Sequence, residues 1–128
     1  MANECIPLYR PGADITAIVG SGGVTGKTFV DISAALSASA GTDPTVVTAT
    51  AAGAVVGVAS RDAIATAKVV VLRNKGAIVP VTAGGNIAVG AKVEVGTGGK
   101  AVTIASGIAV GRAWTAGTNN NDVFVELY

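Results

Sequence analysis

Val and Ile fill 29 of the 128 positions, and Leu and Met only 5. A branched Cβ stiffens χ1 and crowds the turns of a helix, yet packs well against neighbours on a pleated sheet. A chain with this bias is expected to be all-β. Ten short runs follow the strand pattern: 14–19, 28–33, 45–49, 55–59, 68–73, 77–81, 91–95, 101–105, 108–114 and 123–128. Most are bounded by Gly, Asn or Asp, the residues that punctuate strands. Many short strands at close spacing build a sandwich or a small barrel. Asn74-Lys75-Gly76 predicts a tight hairpin between 68–73 and 77–81, and Gly96-Thr97-Gly98-Gly99 another between 92–95 and 101–104. Helix is scarce. Residues 33–40 are rich in Ala without an apolar stripe and read equally as helix or loop, and 83–90 has room for one helical turn.

Ala, Val and Gly supply nearly half of the chain, so the side chains available for a core are small. The length fits one domain. The expected division is an extended N-terminal arm over 1–11 and a single β domain over 12–128. Apolar residues make up 50% and charged residues 13%, which argues against a disordered chain. The net charge of +1 lacks the basic excess of a nucleic-acid binder. With no His and one Cys, most zinc sites, disulfide frameworks and His-based acid–base catalysis are excluded. No apolar run reaches the roughly 18 residues of a membrane span. The start of the chain lacks the basic and apolar regions of a secretory signal. The lone Cys5 suits synthesis in a reducing cytoplasm. No cofactor, nucleic acid or membrane is expected as a partner.

A repeat is visible. Val56-Gly57-Val58-Ala59 in the first half of the chain is echoed by Val110-Gly111-Arg112-Ala113 in the second. At the same distance beyond each Gly, β runs follow: Val69-Val70-Val71-Leu72 and Val123-Phe124-Val125-Glu126. Each unit reads as a strand with a close-packed Gly, a polar loop and a second strand. Two such units can build a closed or nearly closed barrel. Gly, Ala and Val monotony also produces such matches by chance.

The N-terminal segment differs from the rest. Ile6, Pro7, Leu8, Tyr9, Arg10 and Pro11 combine two prolines with large apolar residues. Proline removes backbone donors and favours extended structure. The segment reads as an arm that contacts another subunit or surface, against the alternative of an ordinary frayed terminus.

Gly20-Ser21-Gly22-Gly23-Val24-Thr25-Gly26-Lys27-Thr28 comes near the phosphate-binding loop G-x-x-x-x-G-K-[ST]. Ser21 occupies the first Gly position, and residues 28–32 read as a strand where the loop needs a helix N-terminus. A Gly-rich hairpin turn with a solvated Lys27 is the better reading. The eight acidic residues are scattered, and Asp62 beside Arg61 reads as a loop ion pair. Cys5 has no His to activate it. Residues 1–64 carry three basic and five acidic side chains, net −2, and residues 65–128 carry six and three, net +3. Trp114 is the only Trp, and large aromatics anchor cores and interfaces. It is read as capping a barrel core or sitting in a subunit contact, with the core role favoured.

These residues describe a small β domain with no visible active site, for which self-association would bury apolar area and protect strand edges. The chain also resembles the head decoration (capsid cement) proteins of tailed bacteriophages. The resemblance rests on Gly26-Lys27-Thr28-Phe29-Val30-Asp31-Ile32-Ser33, Gly57-Val58-Ala59-Ser60-Arg61-Asp62-Ala63, Lys68-Val69-Val70-Val71-Leu72-Arg73 and Gly76-Ala77-Ile78-Val79-Pro80-Val81-Thr82-Ala83-Gly84. It continues through Ile87-Ala88-Val89-Gly90-Ala91-Lys92-Val93-Glu94-Val95, Gly107-Ile108-Ala109-Val110-Gly111-Arg112-Ala113 and the last strand. The Asn-rich loop at 118–122 departs from the pattern. The resemblance implies a β-barrel-like or β-tulip fold, a homotrimer, and no catalytic residues. It implies a place on the outer capsid surface, where subunits bridge neighbouring copies of the major capsid protein and stabilise the shell. On that reading Ile6, Pro7, Leu8, Tyr9, Arg10 and Trp114 are the candidate capsid or subunit contacts. A tail or baseplate component and a small ligand-binding β module are the alternatives.

Overall fold

Each of the ten predicted runs yields a strand, displaced by a few residues at most. The computed structural model describes residues 13–36 and 43–128. The strands are β1 (Ile15–Val19), β2 (Phe29–Ile32), β3 (Thr45–Thr48), β4 (Gly57–Ala59) and β5 (Lys68–Leu72), then β6 (Ile78–Thr82), β7 (Lys92–Val95), β8 (Ala101–Thr103), β9 (Gly111–Ala113) and β10 (Asp122–Leu127). The one helical element among the described residues is a 3-10 turn at Thr97–Gly99. The fold is all-β, as the branched side chains require.

β1 to β5 close into a barrel in the order β1-β3-β2-β4-β5. Ile15, Ala17, Val19, Val30, Val46, Val69 and Val71 fill it. An eight-stranded barrel has an interior just wide enough to be filled by side chains, and five strands enclose less. This explains a composition dominated by Val and Ala. Among the described residues, eleven of the twelve largest fully buried side chains are Val; the exception is Phe29.

β6 to β10 form a second sheet in the order β6-β10-β9-β7-β8. A parallel bridge between Ala83 and Ala101 brings its last strand round to its first. In the first barrel β1 and β3 make the same closure through Ile18↔Thr45 and Val19↔Val46. The two halves share one plan, residue for residue. Val58 and Ala59 pair with Leu72 and Val71. At the equivalent place in the second half, Arg112 and Ala113 pair with Glu126 and Val125. Phe29↔Val58 and Val30↔Gly57 correspond to Lys92↔Arg112 and Val93↔Gly111. The bridge Val24↔Ala63 corresponds to Ile87↔Gly117. Thr66 and Asn120 both adopt positive φ, 70° and 66°. Both donate their N–H back to the end of the first strand, at Val19 and Ala83, each at 2.8 Å. The repeat seen in sequence over the last two strands of each half therefore extends through the whole half.

The halves also share a core. Phe29, Ala49 and Val58 point outward from the first barrel and join the apolar cluster of the second half. The Thr82 N–H donates to the Lys27 carbonyl at 2.8 Å, and Lys27 Nζ pairs with Asp122 at 2.8 Å across the same seam.

Three sequence expectations need correction. Asn74 to Ala77 does form a turn, closed by an Ala77 N–H to Asn74 carbonyl bond of 3.0 Å, but it is not a hairpin. β5 and β6 belong to different sheets. The Gly76 N–H goes instead to Leu127, in the last strand of the second sheet, at 2.8 Å. The Gly-rich segment 20–28 is no hairpin turn either, because β3 inserts between β1 and β2. Residues 83–90 hold two bridges and a turn rather than a helical turn, since the Ala83 and Ile87 backbones are taken by Ala101 and Gly117. Residues 33–36 are not helical, and the rest of the 33–40 segment lies outside the described residues. The hairpin at Gly96 to Gly99 forms as predicted, joining β7 to β8.

Candidate interaction surface

The period of two along a strand sorts the second sheet into two faces. In β10, Val123, Val125 and Leu127 point into the core, while Asp122, Phe124 and Glu126 point out. In β9, Gly111 and Ala113 are buried and Arg112 is exposed. Trp114 continues that phase outward. Its N–H donates to the Phe124 carbonyl at 2.8 Å, which sets the two aromatic residues opposite each other. On its other side Phe124 is paired with Pro80 of β6. The result is an apolar row across three strands, Pro80–Phe124–Trp114, in which Trp114 is 55% and Phe124 43% exposed. The neighbouring row is Ile78–Glu126–Arg112–Lys92.

The two rows are tied together. Trp114 Nε1–H donates to Glu126 Oε1 at 2.9 Å, spanning both rows. Arg112 Nε–H donates to the Gly90 carbonyl at 3.2 Å. Val89, Gly90, Arg112, Ala113 and Trp114 line a shallow groove of about 250 Å³ at this edge. The surface thus combines an apolar row, a held indole and charges of both signs. That is the composition of a macromolecular contact, where aromatic and Arg side chains are enriched.

The first half of the chain serves as an internal control. Its counterpart of Pro80–Phe124–Trp114 is Thr16–Val70–Ser60, tied by the same pairings. The fold therefore does not require aromatic side chains at these positions. The counterpart of Glu126–Arg112–Lys92 is Leu72–Val58–Phe29, which is covered by the second half.

Other polar groups are engaged in structure. Lys27 is exposed, pairs with Asp122 and is followed by β2 rather than by a helix, so the phosphate-loop likeness ends in the sequence. The Asp62 carboxylate accepts the Gly26 N–H at 2.8 Å, while Arg61 donates to the Asp62 and Lys68 carbonyls. The expected Arg61–Asp62 side-chain pair is thus replaced by three contacts to the backbone. Glu94 is buried, and its Oε2 accepts the Gly107 N–H at 2.5 Å. Among the described residues no group of three or more His, Cys, Asp or Glu is placed to hold a metal ion.

Of the six residues singled out in sequence, Ile6, Pro7, Leu8, Tyr9 and Arg10 lie outside the described residues. Trp114 does not cap the core; the expectation fails because the narrow interiors are filled by Val and Ala. Phe124 and Pro80 were missed. The alternation of Val123, Phe124 and Val125 carried the signal for Phe124, whereas its pairing with Trp114 and Pro80 depends on register.

No protein-family model and no curated protein matches the chain. A solved structure does: the N base of the head fiber gp8.5 of bacteriophage phi29. It superposes with a TM-score of 0.74 over 90% of this chain and 92% of that one, at 21% identity. The chain has the fold of that phage head protein.

Proposed function

We propose that the chain is a structural virion protein that binds the outer surface of a bacteriophage head. In this reading it stabilises the shell by bridging neighbouring major capsid protein subunits, as a homotrimer, and does no chemistry. The likeness to the phi29 head fiber base over nearly the full length of both chains carries the reading. The resemblance of the sequence to capsid decoration proteins supports it independently. The exposed Pro80–Phe124–Trp114 row supplies the kind of surface that attachment needs. Its mechanism is multivalent: contacts that are weak singly add up when many copies engage a symmetric lattice.

The test is co-sedimentation of the purified protein with capsids that lack it. The expected result is saturable binding at a stoichiometry matching the threefold positions of the lattice. Failure to bind expanded shells would refute the reading and favour a tail or baseplate component or a ligand-binding module.

A further inference from the structure

The outer face of the second sheet carries two cations side by side. Lys92 and Arg112 stand directly opposite each other on β7 and β9, and both are exposed. Residues so placed have Cβ atoms about 5 Å apart, and like charges there repel. The register brings one acid beside them, Glu126, opposite Arg112 on its other side. Yet the two form no ion pair. Glu126 Oε1 accepts the Trp114 indole N–H at 2.9 Å, and Arg112 turns its Nε–H to the Gly90 carbonyl at 3.2 Å. Other carboxylates are engaged elsewhere, Asp122 with Lys27, Asp43 with Lys68 and Glu94 with the Gly107 N–H. Among the described residues, neither Lys92 nor Arg112 has a carboxylate partner. Arg112 also lines the groove of Val89, Gly90, Ala113 and Trp114, whose apolar walls Val89 and Trp114 are 67% and 55% exposed.

We propose that this face takes an acidic protein segment, which lays one carboxylate between Lys92 and Arg112 and one apolar side chain in the groove against Trp114. The inference rests on the head-attachment reading above and names the chemistry that the shell surface presents at this contact.

Charge complementarity carries it. A carboxylate between the two cations turns one repulsion into two attractions, and a guanidinium binds it through paired N–H donors. The apolar contact alongside excludes water, and the charge interaction gains strength as it does. The indole is already held by Glu126, so less freedom is lost on binding. Glu126 also restricts the occupant. It follows Arg112 in the row and repels a second negative charge, so the face suits a single carboxylate rather than the phosphate run of a nucleic acid. The first half has Phe29 and Val58 at the places of Lys92 and Arg112, so the fold does not call for cations there.

The test is shell co-sedimentation of full-length Lys92→Gln/Arg112→Gln, read as the half-saturation concentration at low and at physiological ionic strength. Lys68→Gln/Lys100→Gln loses the same charge outside the two rows and is the control. Unfolding midpoints report folding, and Lys92→Gln alone, at an exposed strand start, keeps the test open if the double variant does not fold. The expected half-saturation rises at least about tenfold in the double variant, with most of the salt dependence lost. It rises about threefold in Lys92→Gln and at most about twofold in the control. Unchanged binding of the folded variants overturns the inference and leaves shell attachment standing. Equal weakening in the double variant and the control overturns it, because net charge alone then steers binding. Tighter binding overturns it by assigning the contact to Glu126 and a basic partner. Retention on duplex DNA that needs both cations overturns it in favour of phosphates. Failure of the wild type to sediment with shells overturns the attachment reading, and this inference with it.

Discussion

Gly57 and Gly111 occupy the same position in the two halves, and both sit where one strand passes unusually close to the next. A Cβ built on Gly57 would run into the Leu72 carbonyl oxygen and lie 2.7 Å from Val71 Cγ1. On Gly111 it would run into Val125 Cγ1 and lie 2.6 Å from the Glu126 carbonyl oxygen. In both cases a backbone atom of the partner strand is among the obstacles, so a rotamer change does not relieve the clash. The strands must separate by several tenths of an ångström against their ladder hydrogen bonds. Overpacking of this kind costs about 1–3 kcal/mol. The stiffer unfolded chain of an Ala variant offsets about 0.4–1 kcal/mol. Gly57→Ala and Gly111→Ala are therefore each expected to destabilise by about 1.3 kcal/mol, which lowers Tm by about 5 °C at this length. Gly85→Ala is the control. A Cβ there meets nothing within 4 Å, so the variant should be neutral or slightly stabilised. Urea unfolding followed by Trp114 fluorescence, with far-UV circular dichroism as a second probe, reads all three. If both glycine variants match the control, the close strand approach is wrong. If only one does, the equivalence of the two halves is wrong.

Four further outcomes are expected. Phe29→Ala empties a fully buried site shared by both halves and should cost about 3–5 kcal/mol in urea unfolding. Glu94→Ala strips the acceptor from the Gly107 N–H and should cost about 1–3 kcal/mol in the same assay. Lys27→Ala removes an exposed ion pair and should cost at most about 1 kcal/mol. Calorimetric titration with ATP and GTP should give no binding heat in either form; nucleotide affinity that depends on Lys27 would restore the phosphate-loop reading. Trp114→Ser/Phe124→Val installs the residues of the first half, Ser60 and Val70, at the equivalent places. It should leave the unfolding midpoint nearly unchanged, within about 0.5 kcal/mol per site. Shell co-sedimentation should fall at least about tenfold, since a contact aromatic commonly contributes about 2 kcal/mol or more.

Local rules located the strands, and tertiary pairing decided the rest. Val and Ile density bounded by Gly and Asn marks where a strand begins and ends, because both effects act within a few residues. Which strand takes the neighbouring ladder position is a long-range matter. Asn74 to Gly76 has sound turn chemistry, yet the open N–H of Gly76 is claimed by Leu127, at the far end of the chain. The same distinction explains Trp114. Judged by residue type it belongs in a core. Judged by phase, Gly111 and Ala113 point in, so Arg112 and Trp114 must point out. The period of two was the better guide, because five strands curled this tightly leave no room for an indole.

The duplication separates what the fold needs from what it merely permits. Across the strand pairs β4–β5 and β9–β10, four inward positions are the same in both halves, Gly57 and Gly111, Ala59 and Ala113, Val69 and Val123, Val71 and Val125, and only at the strand end does Leu127 stand where the first half has Arg73. Every outward position differs: Val58 and Arg112, Ser60 and Trp114, Val70 and Phe124, Leu72 and Glu126. A close-packed interior admits only one size of side chain at each site, so both halves hold the same answer. The outward positions are free of that constraint and follow what each face meets. In the first half Val58 and Leu72 meet the second half and are apolar. In the second half Arg112 and Glu126 meet solvent, as terminal repeats with a polar outer face do. Trp114 and Phe124 fit neither pattern, being large, apolar and exposed where the sister half has Ser and Val. The barrel does not explain them, and attachment to a partner surface, as proposed above, would supply the physical reason for their presence.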